Sequence, residues 1–441
     1  MGQIRVDLSL TLEVPDTGLT VNGLLRSVWE MAKPIARAVT STLLEAIEER
    51  EIERMREGEP ARYVRNGHVR RPRTFRGSMG EVTYRLTQLR DRQGSGKKKT
   101  VLPLRRALSL DGKRRIAEEA TEAGIGQVVH VSYRRSAKEI ERIRGDGISA
   151  STLHRRLAEF SDAHCRFGDL RDIPYRFLMV DGTGCLIQGP NASKQKAGEM
   201  RWALASRGEG QPFEPVGVWV NTSWNEIKKD LKTRMAYEKL ELLLTDGEPA
   251  CEVFLEEGMR HQRCAIHGKR EFAWVLYQDG LKKPAQEPLR EKMAAIPVFQ
   301  VSKENLEALR PEDRESIEKR VEDTKKAFQS LLEVLDPAVY PKAHVYVKNL
   351  VANVRTFFDW WLETGKWIPF STNAVESTIS LVKNRVRRVG RRWSEHGLLR
   401  WLQVAVSKIL LPATWDGLWR QYLALNPGLR LLSLEVAYRW I

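Results

Sequence analysis

Apolar positions along residues 23–57 return at the three-and-four spacing of a helix, and the stretch closes in the charge-rich "EEREIERMREGEP". One or two helices stopped by Gly and Pro are expected there. The pattern then changes period. "GEVTYRLTQLRD" alternates as a strand does, between a segment 62–76 that carries six Arg and no acid and the basic break "RQGSGKKKT". A basic β-hairpin or a solvated basic edge fits this region. Helical spacing resumes in "GKRRIAEEATEAG", "SYRRSAKEIERIR" and "ASTLHRRLAEFSDAH", with "GDGIS" as a tight break before the last, so residues 113–164 read as a helical module containing helix, turn and helix.

After Pro174 the chain turns strand-like. "YRFLMVDGTGCLIQG" is an apolar run that reaches Asp181, then Gly, then a second strand-like segment; "MRWALAS" and "PVGVWVN" follow as further strands, and a charged helix is expected near 224–239. "LELLLTDGEPA" repeats the device, with Asp246 closing an apolar strand before Gly. "HQRCAIHGKREFAWVL" reads as a last short strand carrying Arg263 and Cys264 into a helix near His267. From 270 to about 367 the spacing is helical throughout, as an insertion between parts of a sheet domain would be. "STNAVESTISLVKNRVRRVGRRW" then predicts a helix returning to the sheet, with Thr372 or Asn373 as its cap and Glu376 in its first turns.

With 441 residues and 42% hydrophobic composition the chain can build two or three modest cores. The expected division is a helical segment 1–60, a basic hairpin or linker 61–104, a helix-turn-helix region 105–170, a sheet domain 171–270 and 369–412 interrupted by helices 271–368, and a helical tail 413–441. Lys and Arg outnumber Asp and Glu by 73 to 57, a net charge of +16, which favours an anionic partner, nucleic acid first. No stretch approaches a membrane span, and "MGQIRVDLSL" has polar residues where a signal peptide needs an apolar run, so a cytoplasmic protein is expected. Cys165, Cys185, Cys251 and Cys264 form no C-x-x-C pair, which signals neither a zinc knuckle nor a disulfide framework.

Asp followed by Gly after one strand is ordinary turn chemistry. Two such strands as neighbours would set two carboxylates side by side, a repulsion that a divalent cation relieves, and the Glu376 helix can bring a third. Lys383, Arg385, Arg387, Arg388, Arg391 and Arg392 follow Glu376 with no acid among them, a poor free surface but a good match for phosphates. Trp393 can stack on a base or pack on the core. In the helix-turn-helix the second helix, capped by Ser149 or Ser151, would enter the DNA major groove with Ser151, Thr152, His154, Arg155 and Arg156.

Taken together, "MVDGTG", "LLTDGEP" and "TNAVESTISLVKNR" resemble the three acidic motifs of the DDE transposases of bacterial or archaeal insertion sequences, over about Phe177 to Ile409. The separations of 65 and 130 residues suit family members with a helical insertion before the final Glu, and "CAIH" is similar to the Cys-x-x-His feature of Mutator-like enzymes. "VKNRVRRVGRRWSEHG" resembles the basic segment after the catalytic Glu. The resemblance implies an α/β ribonuclease-H-like catalytic domain interrupted by an all-α insertion, preceded by a mainly helical DNA-binding region. It also implies Asp181, Asp246 and Glu376 as catalytic ligands of two Mg²⁺ ions, Mn²⁺ able to substitute, with Cys264 and His267 accessory. The partners implied are double-stranded DNA, as transposon ends and target, and further copies of the chain in a homodimer or larger assembly, nucleoid-associated when bound. The rival expectations are a nuclease of the same fold that hydrolyses without joining, and a domesticated, non-catalytic DNA-binding protein.

Overall fold

In the computed structural model, residues 4–13, 17, 20–108, 116–144, 147–189, 195–302, 313–387, 393–423 and 432 are described. The chain divides into two units, Met1–Glu159 with Gly417–Ile441, and Phe160–Asp416. The second begins about ten residues before the boundary expected at 170/171, and the C-terminal segment belongs with the first.

The first unit opens with a single helix, α1 (Val21–Gly58), capped by Thr20 Oγ1, which accepts from the Gly23 N–H at 3.1 Å. Four strands follow: β1 (Tyr63–His68), β2 (Arg73–Gly77), β3 (Gly80–Tyr84) and β4 (Thr87–Asp91). The alternating "GEVTYRLTQLRD" is thus two strands, because β3 pairs with β2 while β4 turns to β1 and the short β5 (Thr100–Val101). Leu44 of α1 packs with Val82, Leu86 and Leu104, the last on α2 (Pro103–Leu108). Buried Glu48 is accommodated because its carboxylate accepts from the Thr87 N–H (2.9 Å) and hydroxyl (2.7 Å), tying α1 to the sheet.

The three stretches of helical spacing in 113–164 form three helices, α3 (Glu119–Val128), α4 (Tyr133–Arg144) and α5 (Ala150–His164). Gly124 lets them close up, since a Cβ there would lie 2.6 Å from both Ile140 and Leu153. Ser149, rather than Ser151, caps α5 by accepting from the Thr152 N–H at 3.1 Å.

The second unit is built on a five-stranded sheet: β6 (Phe177–Gln188), β7 (Gln195–Ser206), β8 (Glu214–Val220), β9 (Leu242–Thr245) and β10 (Arg260–Arg263). Its spatial order is β10-β9-β6-β7-β8; β6, β7 and β8 are antiparallel neighbours, and β9 and β10 run parallel to β6. One face, with Leu178, Val180 and Leu243, packs on Trp224, Ile227 and Leu231 of α6 (Trp224–Arg234), whose start carries a Ser223/Glu226 capping box.

Helices α7 (Ala265–Gln278), α8 (Lys283–Ala295), α9 (Arg314–Val334), α10 (Pro341–Val351) and α11 (Thr356–Thr364) fill the region expected to be an insertion. Buried Gln262 on β10 anchors them: its amide donates to the Val354 carbonyl (2.9 Å) and its oxygen accepts from the Phe357 N–H (2.8 Å). Next to it, His261 lies 2.8 Å from Thr245 Oγ1 and 2.7 Å from Asn353 Nδ2. The chain returns through α12 (Asn373–Arg387), which packs on β6 and β7, and ends this unit with α13 (Glu395–Ala405) and the first turn of α14 (Pro412–Tyr422).

Burial, with Arg263 nearby, pulls the His261 imidazole down to about 4. The folded state therefore refuses a proton that the unfolded chain accepts below its ordinary value of 6.5. Stability from this group is full above that pH and is lost as pH falls through 4. Denaturant unfolding at stepped pH is expected to show a decline between those values that is shallower in His261→Asn.

Candidate functional site

Asp181 does not end its strand, as its Asp-Gly context suggested; it sits inside the continuous β6, buried, opposite Trp202 of β7. The strand runs on because β7 pairs with it along its whole length, from Phe177 to Gln188. On its other edge β6 pairs with β9 only at Phe177, Leu178 and Met179, which face Leu242, Leu243 and Leu244. Carrying that register forward two residues sets Asp181 beside Asp246, and the β9–β10 register, Thr245 facing Arg263, brings Cys264 to the same level. Alternation puts Asp181 and Asp246 on the face opposite the α6 core.

Glu376 reaches this edge from the first turn of α12, whose Val375, Ile379, Val382 and Val386 form the buried stripe that seats the helix. Burial first, then the Asp246 and Glu376 charges, push the Asp181 carboxyl up to about 7; the Gly182 N–H, which donates to Asp181 Oδ1 at 2.7 Å, and His267 pull the other way. The three acids are therefore one electrostatic cluster. Asp246 Oδ1 is turned by the Glu248 N–H at 2.9 Å, and Gly247 between them takes φ +106°, a conformation that suits glycine.

Cys264 caps α7 through its sulfur, which accepts from the His267 N–H (3.5 Å) and from the Thr372 N–H (3.4 Å). Burial opposes ionisation of the thiol, but its hydrogen bonds with His267 and Thr372 outweigh that and hold it below its ordinary value. His267 is raised in turn, first by that bond to Cys264. Its Nδ1 lies 3.3 Å from Thr372 Oγ1 and 3.5 Å from Glu376 Oε1, and the Thr372 hydroxyl donates to Glu376 Oε1 at 3.2 Å. Cys264, His267 and Glu376 offer three ligand atoms within 4.8 Å of one another, the one such group found among the described residues. His267 thus meets Glu376 directly, and Cys264 is tied to it through His267 and Thr372. Thr372 joins them, which its sequence position suggested only as a helix cap.

Other polar side chains crowd the same end of the sheet. Glu271, one helical turn beyond His267, is raised by burial and by Asp246; Glu248, raised by burial, accepts from Trp224 Nε1 at 3.3 Å. The His267/Glu271 spacing of four is the signal that could have found Glu271, since it places both on one helix face.

Two of the basic residues expected to face DNA are interior. Arg156 is 3% exposed, paired with Glu118 (3.0 Å) and Glu159 (2.7 Å), and donates to the Ile116 carbonyl. Arg385 is 4% exposed, lying over the rings of Trp393 (4.7 Å) and Trp401 (5.7 Å). Trp393 is buried as well, so it packs on the core and is not a free stacking platform. The burial of Arg385 follows from helix phase: it falls within the α12 stripe, three residues after Val382.

Ser151, His154 and Arg155 are exposed and Thr152 is half-buried, with the His154 ring edge-on to Tyr133 at 5.2 Å and Arg155 loosely paired with Glu159 at 4.0 Å. Lys383 is half-buried; exposed Arg387 donates to Thr183 Oγ1 (3.2 Å) and the Gly184 carbonyl (2.9 Å) on β6. Arg388, Arg391 and Arg392 lie outside the described residues. No helix among the described residues is long and apolar enough to cross a membrane.

Residues 14–180 are similar to a family described as an uncharacterised protein family, UPF0236. The match stops one residue before Asp181, so it bears on the N-terminal unit and the entry into β6. No curated protein matches the chain.

Proposed function

We propose that this protein is a DDE transposase, binding double-stranded DNA at the ends of a mobile element, cutting there and joining those ends to target DNA. The observation that carries the reading is the row of Asp181 and Asp246 on neighbouring strands with Glu376 placed over them, close enough to raise Asp181 together. The sheet order, three antiparallel strands with two parallel strands added beyond the first, supports a ribonuclease-H-like catalytic domain, and the helices between β10 and Glu376 support an all-α insertion within it.

The donor set fits hard divalent ions. Three carboxylates bring only oxygen, and their mutual repulsion is what a cation would relieve. Asp181, Asp246 and Glu376 would hold two Mg²⁺, or Mn²⁺ in their place; such ions, when bound, favour the deprotonated nucleophile and stabilise charge on the entering and leaving oxygens of an in-line displacement.

The chain itself supplies the frame. Gly182 and Glu248 N–H groups orient the two Asp carboxylates, while Thr372 and His267 hold Glu376 Oε1. Arg387, at Thr183 and Gly184 of β6, brings a positive charge to the strand that carries Asp181 and would neutralise an incoming phosphate. Assembly as a dimer or larger, and residence on the nucleoid, belong to the same reading.

A second reading rests on the Cys264, His267 and Glu376 group, whose mixed sulfur, nitrogen and oxygen donors suit Zn²⁺ better than Mg²⁺. Calorimetric titration of the metal-free protein separates the two. Mn²⁺ binding lost in Asp181→Asn and retained in Cys264→Ser is expected; Zn²⁺ binding that survives Asp181→Asn and disappears in Cys264→Ser would move the centre to the Cys-His-Glu group.

A further inference from the structure

A cavity of about 260 Å³ opens beside Asp246, with Glu248, Arg263, Glu271, Tyr346 and Asn349 in its walls. That is the space of roughly nine waters, the size of one heterocyclic base and too small for a base pair. Its polar groups are unevenly committed. The Tyr346 hydroxyl donates to the Gly268 carbonyl, and Glu248 accepts from Trp224. Arg263 is 7% exposed, its plane against Tyr346 at 4.7 Å, and its Nε is buried with no hydrogen-bond partner. Glu271, half-buried, stands 3.9 Å from the Arg263 Nη2, too long for a hydrogen bond between them. The cavity therefore sets the Arg263 guanidinium beside the Glu271 carboxylate, with no hydrogen bond between the two.

A phosphate is a poor occupant, because three carboxylates line the space against one guanidinium. A metal cation would leave the buried Arg263 donor unanswered. The ligand must carry acceptors and donors in adjacent pairs. Along its edges guanine offers N7 and O6 as acceptors, then N1–H and N2–H as donors, so Arg263 can take the first pair and Glu271 the second. Cytosine offers the carboxylate a single donor group, and adenine and thymine alternate donors with acceptors, so each fits less well.

We infer that this cavity is a pocket for an unpaired guanine, taken out of the stack next to the strand being cut. The inference rests on the reading of this protein as a DNA-cutting enzyme, and it adds a base preference to a site whose other groups recognise only phosphate and metal. Asn349 and Pro249, exposed at the mouth, leave the entrance open.

The test is fluorescence anisotropy in EDTA, with a labelled thymidine oligomer of about ten nucleotides carrying one central guanine, hypoxanthine, cytosine, adenine or thymine. Guanine is expected to bind roughly tenfold tighter than thymine, hypoxanthine to lose most of that gain for want of the 2-amino group, and Glu271→Gln to abolish the preference while leaving the all-thymidine affinity unchanged. The hypoxanthine arm needs no variant, so it stands even if Glu271→Gln fails to fold. Equal binding of all five oligomers, or a guanine preference that persists in Glu271→Gln, overturns the pocket and leaves the DNA-joining reading intact. No binding of any oligomer likewise overturns the pocket, while the DNA-joining reading is tested separately on double-stranded ends with Mg²⁺.

Discussion

Changing Asp181 or Asp246 to Asn is expected to lower metal-dependent DNA cleavage by roughly 10³-fold or more, while affinity for the same DNA in EDTA and the unfolding midpoint hold. The expectation follows from where the two carboxylates sit. They occupy adjacent strands at one level, burial and then the Asp246 charge raise Asp181 to about 7, and each is oriented by a backbone N–H that an amide oxygen can still engage. Asn is nearly isosteric, so it removes the charge a cation needs without opening a cavity. The metal-free midpoint can even rise, because a buried like-charge contact is relieved. A gel-based cleavage assay paired with thermal unfolding checks both halves. A large fall in midpoint together with the loss of cleavage would mean that these acids are structural.

Arg385 and Arg387, two residues apart on one helix, are expected to give opposite phenotypes. Arg385→Ala takes a guanidinium from over Trp393 and Trp401 and leaves a hole in the core, a loss of roughly 2–4 kcal/mol seen as a lower denaturant midpoint. Arg387→Ala, at an exposed site, is expected to leave the midpoint within about 0.5 kcal/mol and to flatten the dependence of DNA affinity on salt by about one ion. DNA titrations at several salt concentrations beside urea unfolding measure the contrast. Equal effects of the two changes on the salt slope would contradict the burial of Arg385.

How far this was legible in the sequence depends on what each inference required. The strands were readable because their apolar runs are local. The meeting of Asp181 and Asp246 was not: 65 residues separate them, and only the parallel pairing of β9 with β6 makes them neighbours. Asp181 was misplaced at a strand end for a related reason. Asp-Gly is a turn signal, and twelve residues of pairing with β7 override it.

The support of Glu376 by Cys264, His267 and Thr372 was half visible. The C-x-x-H spacing was plain, but its distance to a helix more than a hundred residues later depends on how α7 leaves β10. Arg385 and Arg156 show the opposite case. Counting charges along a helix treats all of them as surface, whereas the phase of Val375, Ile379, Val382 and Val386 already put position 385 on the buried side. The pairing of Arg263 with Glu271 around a cavity needed β10, α7 and α10 together, and no single stretch of sequence carries it.

The central claim is that Asp181, Asp246 and Glu376 form one centre that cuts and joins DNA. Its most direct test incubates the full chain with labelled DNA carrying the gene's own flanking sequence and an unlabelled target, with Mg²⁺ and without, beside Glu376→Gln at matched DNA occupancy. The account predicts a Mg²⁺-dependent joined product that is absent in Glu376→Gln. Cleavage without joining would mean a nuclease, and DNA binding with neither cleavage nor joining in the unaltered protein would contradict the account.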